Sequence, residues 1–218
     1  MTLGQLARRL LGSHFPAVGR AYRSVFVDVD KVARSISPHI PRGAVVVDVG
    51  GGDGDPLNSL LSLRPDVTVK LIDPSASVGQ LVADEYAPRV ELHPGTRMMD
   101  FMRHSPLSLD VVLISDVVHH VPEEERSAFC EELRTLVGGR SGRVRIIIKD
   151  VEPGYVRSLL GLLADRYISG DKKTSLVGRT ALIRLVKSAF DDAVDVTETD
   201  LFRVDRPNYA LVFTYPRE

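Results

Sequence analysis

The segment Val45-Val46-Val47-Asp48-Val49-Gly50-Gly51-Gly52-Asp53-Gly54-Asp55-Pro56 decides the fold. A short apolar run that ends in glycines has the form of a buried parallel strand. Asp55 reads as the N-cap of the helix that follows and Pro56 as its first residue. Leu57, Leu60 and Leu61 carry that helix onward. Glycine permits positive φ and lets the backbone touch a ligand. In an open α/β sheet, ligands bind beyond the carboxyl ends of the strands. The loop is therefore read as a nucleotide or cofactor loop.

Outward from the loop, strand-like and helix-like segments alternate. Further strands are expected at 67–72, 90–93, 111–115 and 144–149. Ser77 and Gln80 form a capping-box signature for a helix over 78–86. Pro122 opens another helix, with Phe129, Leu133 and Leu136 on one face and Gly138-Gly139 at its end. This alternation means βαβ units and a parallel sheet. The C-terminal end differs. Val194, Val196, Phe202 and Val204 share one parity, and Tyr209, Leu211, Phe213 and Tyr215 alternate after a turn at Arg206-Pro207-Asn208. Two strands that close leave no room for a crossover helix, so they pair antiparallel. The expectation is an α/β fold with a seven-stranded, mostly parallel sheet, a C-terminal antiparallel hairpin and helices on both faces.

Residues 1–42 are expected to form an N-terminal helical cap and residues 43–218 a single domain with a helical insertion at about 153–190. In the insertion, Tyr155, Leu159, Leu162 and Leu163 make one apolar stripe. Ser169-Gly170-Asp171 breaks it, and a helix resumes over 180–190. Ser169 to Lys173 reads as a mobile lid beside the pocket.

Composition narrows the function classes. The chain has 218 residues, with 28 Lys+Arg against 29 Asp+Glu, a net charge of −1. That balance argues against a nucleic-acid binder that works by neutralising phosphates. The single cysteine, Cys130, excludes an internal disulfide and a cysteine-built metal site. No apolar run approaches the ~18 residues of a membrane span. Arg8, Arg9, Arg20 and Arg23 precede the first acid, Asp28, which suits either a targeting segment or short helices packed on the domain. Packed helices and a cytoplasmic location are the expectation. A homodimer is compatible with the composition but not legible from it.

Spacing bears on the cofactor. The dinucleotide fingerprint GxGxxG would need a third glycine at position 55, where Asp55 stands. A carboxylate there also repels a pyrophosphate at the positive helix N-terminus. The P-loop Gly-Lys-Ser/Thr is absent. What is present is Asp-x-Gly-x-Gly-x-Gly, at Asp48, Gly50, Gly52 and Gly54. This resembles motif I of the class I S-adenosylmethionine-dependent methyltransferases, whose fold is Rossmann-like. The resemblance runs from about Gly43 to Tyr215. The stretch Leu109 to Pro122, with Asp116-Val117-Val118-His119-His120, is similar to the family's motif IV as found in small-molecule enzymes related to the quinone-biosynthesis methyltransferases.

The resemblance implies S-adenosylmethionine as cofactor, held by Asp48, Gly50, Gly51, Gly52 and Gly54. It places Asp73 at the two ribose hydroxyls, with Pro74 shaping the turn after it. Ser115 and Asp116 complete the expected cofactor contacts. Where many relatives carry Gly-Asp-Ala after the third strand, this chain has His93-Pro94-Gly95-Thr96-Arg97, so Gly95, Thr96 or nearby backbone must serve adenine. The acceptor is expected to be a small molecule.

Methyl transfer from a sulfonium needs position, desolvation and sometimes a base. His119 and His120 follow the fourth strand on the ligand side, where histidine suits proton removal near neutral pH. Adjacent residues face different ways, so one packs and one serves, with His119 favoured for the acceptor. Asp150 at the end of the fifth strand is the third catalytic candidate; otherwise Lys149-Asp150 is a surface ion pair or helix cap. Tyr22, Phe26 and Tyr167 are candidate acceptor-side residues, and Arg157 is read as part of a solvated face. No metal is expected; Asp116 and Asp150 would be the ligand candidates otherwise. The rival readings are a non-catalytic S-adenosylmethionine-binding protein and, weakened by Asp55, a nicotinamide-dependent dehydrogenase.

Overall fold

The computed structural model describes residues 24–104, 109–138 and 142–216. Seven strands form one sheet: β1 Val45–Val49, β2 Thr68–Asp73, β3 Val90–Pro94, β4 Val111–Ser115, β5 Val144–Val151, β6 Asp195–Glu198 and β7 Asn208–Tyr215. Their order is β3-β2-β1-β4-β5-β7-β6, with β7 antiparallel to both β5 and β6. Val49 lies beside Ile72 and Ile114, and Ser115 beside Lys149, so the carboxyl ends of β1, β2, β4 and β5 share one edge. The order reverses at β1, where a doubly wound sheet leaves its ligand crevice.

The central strands are largely apolar on both sides because helices cover both faces. One face takes α1 Val29–Ile36, α2 Asp55–Leu63 and the short α7 Leu201–Val204. Val32, Ala33 and Ile36 of α1 and Leu57, Leu60 and Leu61 of α2 close over Val46, Val69 and Ile147. The other face takes α3 Met98–His104, α4 Arg126–Val137 and α6 Arg179–Ala189. Phe101, Leu133, Leu136, Leu182 and Val186 there pack on Val112, Ile114, Ile146 and Ile148. The remaining helix, α5 Val156–Ala164, continues as a π-turn over Asp165–Ser169.

Four expectations change. No helix forms over 78–86. Gly79 has φ +66°, and its N–H donates to Gly52 O at 2.9 Å while Leu81 N–H donates to Asp53 O at 2.8 Å. The Asn58 side chain holds Leu81 O and Ala83 N. The segment spends its backbone groups on the glycine loop and α2, which leaves none for a helix ladder. Phe202 and Val204 are not in a strand either. Thr199 Oγ1 accepts from Leu201 N, and Ser35 Oγ bonds to Thr199 and Asp200, which turns the chain into α7. At α2 the N-cap is Gly54 rather than Asp55, with φ +78°. The fourth helix starts at Arg126, after a 3-10 turn at Glu123–Glu125, rather than at Pro122.

Candidate functional site

The glycine loop bridges β1 and β2. Gly50 N–H donates to Ile72 O at 2.8 Å, and Gly50, Gly52 and Gly54 all have positive φ. Asp73 is fixed beside them: Oδ2 accepts from Gly52 N at 3.1 Å and Oδ1 from Ser75 N at 2.7 Å. Each carboxylate oxygen keeps a lone-pair direction for a further donor. A Cβ on Gly52 would meet nothing within 4 Å, so the backbone is open to a ligand there.

Gly51 and Asp48 do the opposite work. A Cβ on Gly51 would stand 2.2 Å from Asp48 Oδ2 and 2.9 Å from Leu71 Cγ. Asp48 is buried beneath the loop, and burial, then Asp73, push its carboxyl up to about 7. Gly51→Ala is expected to destabilise the fold by ~1–3 kcal/mol through overpacking, read as a lower denaturant midpoint. An unchanged midpoint would show that the loop can move off Asp48.

The far wall of this edge comes from β3. Thr96 N–H donates to Asp73 O at 2.9 Å, Gly95 N–H donates to Ser75 O at 2.8 Å, and Thr96 Oγ1 donates to Pro94 O at 3.2 Å. Pro74, Gly95 and Thr96 therefore hold one corner of the crevice, with Asp73 at its centre.

After β4, Asp116 takes φ +58° and the chain winds into a 3-10 turn, Val118–His120. The two histidine rings pack on each other, centroids 4.2 Å apart, but take different partners. His119 is buried, and its Nδ1 stands 2.7 Å from Asp150 Oδ1. Its backbone N–H donates to Asp150 Oδ2 at 3.2 Å, while Val151 N–H donates to Oδ1 at 2.8 Å. Asp150 is fully buried and holds both the ring and its backbone. His120 is exposed, with Nδ1 on Asp171 Oδ2 at 2.8 Å.

The electrostatics follow. Burial disfavours the His119 imidazolium, but Asp150, and after it Asp116 and Asp165, outweigh burial and push the ring up to about 9. Burial likewise disfavours the Asp150 carboxylate, yet the His119 charge and hydrogen bond hold it below its ordinary range. Nδ1 is engaged by Asp150, and the other ring nitrogen, Nε2, lies 3.8 Å from Asp165 Oδ2.

Lys149 is no surface group. It is 1% exposed, and its Nζ reaches both Asp116 oxygens at 2.6 and 2.7 Å. Lys149 and Asp150 are thus not a surface ion pair; each serves a partner from the β4 turn. Asp116, His119 and Asp150 offer ligand atoms within 4.8 Å of one another, as do His119, His120 and Asp165. In the first trio the Lys149 ammonium already sits on Asp116, so it is poorly built for a cation.

Arg157 also departs from expectation. It donates to Val25 O at 2.8 Å, to Asp205 Oδ1 at 3.0 Å and to Arg206 O at 3.0 Å, clamping the N-terminal segment rather than lying on a solvated face. Phe26 lines a cavity of about 40 Å³ with His119, Ser158, Leu162, Asp165 and Leu176. Leu162 and Leu176 also line a wider groove of about 530 Å³, walled by Tyr155, Val156, Leu159 and Arg166. The apolar stripe expected on α5 is therefore largely open: Val156 is 76% exposed, and Tyr155, Leu159 and Leu163 are exposed too. Tyr167 is 71% exposed and lines neither space. Tyr22 lies outside the described residues. The segment read as a lid is tied by Asp171 to His120 and by Arg166 to Thr174 O.

Two site residues escaped the sequence reading. Asp165 ends an apolar helix, and an acid following Leu162-Leu163-Ala164 was the available signal. The burial of Lys149 had none, since a lysine at a strand end is ordinarily solvated.

Comparisons with known proteins agree with the fold. The model of a family described as a methyltransferase domain matches residues 46–138, which include the glycine loop, Asp73 and the histidine turn. With the fold and the motifs, this makes the chain similar to the class I S-adenosylmethionine-dependent methyltransferases over that stretch. No curated protein matches the sequence. Among solved structures, an O-methyltransferase family protein from Burkholderia thailandensis aligns with a TM-score of 0.62 and 20% identity, over 87% of this chain and 55% of that one. The N,N-8-amino-8-demethyl-D-riboflavin dimethyltransferase RosA of Streptomyces davawensis aligns with a TM-score of 0.66 and 18% identity, over 98% and 62%. CalO1, a methyltransferase in calicheamicin biosynthesis solved with SAH bound, aligns at 0.64 and 21%, over 95% and 60%. The chain thus spans 55–62% of the length of these three. Among the described residues, no helix is long and apolar enough to cross a membrane.

Proposed function

We propose that the protein transfers the methyl group of S-adenosylmethionine to a hydroxyl of a small-molecule acceptor. The observation that carries this reading is the buried His119–Asp150 pair, set at the carboxyl ends of β4 and β5 on the same edge as the glycine loop. Asp73 and the open backbone at Gly52 would hold the cofactor, which when bound supplies a methyl group on a cationic sulfur. Asp150 accepts from Nδ1–H of His119, so the Nε2 lone pair points at the acceptor. Nε2 takes the hydroxyl proton as the oxygen attacks, and Asp150 stabilises the imidazolium that results. Phe26 and Leu162 keep water from the small cavity. N- or C-methylation needs less from His119 and is the weaker reading. The described residues 24–42 act as part of a cap, a view supported by Phe26 in the cavity wall. A cytoplasmic location and a homodimer complete the proposal.

Raising the temperature of unfolding tests the cofactor: S-adenosylmethionine and S-adenosylhomocysteine should each raise it, and NAD should not, since only ligands of the folded state stabilise it. Stabilisation by NAD alone would favour the dehydrogenase reading, and stabilisation without product from any acceptor the non-catalytic one. Activity should survive chelation and dialysis; restoration by Mg²⁺ would make Asp116 and Asp150 ligand candidates.

The His119 shift sets a pH dependence. A base must be neutral to accept a proton, so kcat/KM should rise with pH up to about 9 and level off above it. A limb near the ordinary value of 6.5 would show that Asp150 does not hold the imidazolium. Stability runs the other way. The folded pKa exceeds the unfolded one, so the contribution of His119 is complete below 6.5 and is lost as pH rises through about 9, while that of the lowered Asp150 carboxyl is lost only in acid.

A further inference from the structure

We infer that the acceptor carries a second hydrogen-bond donor on the atom next to the methylated hydroxyl, as an ortho diol does, and that Asp165 reads this second group. The inference rests on the proposed role of His119 and deepens it. In the state ready to take a proton, Nδ1–H donates to Asp150, so Nε2 is an acceptor. Asp165 Oδ2, 3.8 Å away, is a second acceptor facing the same cavity. The two cannot bond to each other at that distance. A lone hydroxyl has one proton and satisfies only one of them; the other would stay half-buried and unpaired, which is costly. Two hydroxyls on neighbouring carbons satisfy both. Hydrogen bonds of about 2.8 Å from each oxygen close a four-sided figure whose remaining side is the gap between Nε2 and Oδ2.

The space agrees. A cavity of about 40 Å³, against ~10–15 Å³ per water-sized group, holds two or three small atoms and not a whole acceptor. The rest of the molecule belongs in the groove beyond Leu162 and Leu176, whose walls Tyr155, Val156 and Leu159 suit an apolar body. In the reaction, one hydroxyl proton passes to Nε2 and its oxygen forms the new bond to the methyl carbon. The carbon–sulfur bond breaks with its electron pair going to sulfur. The neighbouring hydroxyl keeps its proton and its bond to Asp165.

The test uses protein loaded with S-adenosylhomocysteine and titrated calorimetrically with three probes: an alkyl catechol, the matching alkyl phenol, and the alkyl guaiacol in which one hydroxyl is already methylated. The catechol should bind ~10–100-fold tighter than the phenol, the worth of one hydrogen bond to a charged group. Asp165→Ala should erase that preference, with phenol binding no weaker than in wild type and S-adenosylhomocysteine affinity unchanged. Asp165→Asn, which keeps an acceptor oxygen, should retain part of it. Equal affinity for catechol and phenol, a preference that survives in Asp165→Ala, or binding of none of the three overturns the inference while the cofactor reading stands. Wild-type protein that fails to bind S-adenosylhomocysteine overturns both.

Discussion

Replacement of His119 by alanine lowers kcat by ~10²–10⁴-fold, the usual worth of a positioned base, and leaves S-adenosylhomocysteine affinity near wild type. The split follows from the geometry. The ring is held by Asp150 on β5, whereas the proposed cofactor contacts gather on the glycine loop and Asp73. Asp150→Asn should reproduce most of the kcat loss, because an amide cannot hold the imidazolium. It should also remove the pH limb near 9. His120→Ala keeps nearly full kcat, since that ring is exposed and engaged by Asp171. If His119→Ala retained kcat across the neutral range, catalysis would be by proximity alone, with an acceptor already ionised or an amine.

Asp73→Ala lowers S-adenosylmethionine affinity by ~10–100-fold, read by calorimetry. Two losses combine. The ribose hydroxyls lose a charged partner, and Gly52 N and Ser75 N lose the acceptor that fixes the loop. A second readout separates the variant from general damage. Asp73 is one cause of the raised Asp48 carboxyl, after burial, so its removal should lower the Asp48 value from about 7. Unchanged cofactor affinity would overturn the ribose role of Asp73.

Elements whose burial is decided by one local pattern were legible in the sequence. β4 is a continuous apolar run, and β1 and β5 are apolar apart from Asp48 and from Arg145, Lys149 and Asp150, as parallel strands covered on both faces largely must be. The glycine loop was legible because three positive-φ glycines at alternate positions serve no strand and no helix interior. The failures are segments that long-range partners decide. Ser77 and Gln80 carry a local helix signal, but Gly79 packs against Leu92 and gives its N–H to Gly52, twenty-seven residues away. Phe202 and Val204 keep strand parity, yet Ser35 on α1 captures Thr199 and Asp200 first. α3 was legible and went unread: Met98, Phe101 and Met102 stand at helical spacing. Asp165 showed only as an acid after Leu162-Leu163-Ala164, because its place beside His119 depends on a turn that brings the end of α5 to the β4 loop.

Lys149 and Asp150 are neighbours on β5, yet one serves Asp116 and the other His119. Successive residues of a strand point to opposite sides, so parity alone assigns cation and anion to their tasks. Gain or loss of one residue within β5 would exchange them, aiming an ammonium at the imidazole and a carboxylate at Asp116. Substitution that keeps Val144 and Ile146 to Ile148 apolar and similar in size can explore this strand, but changes of length cannot. Divergence of acceptor chemistry on this scaffold is therefore channelled into the segment after Val151, where length can vary without inverting the charges at the sheet edge.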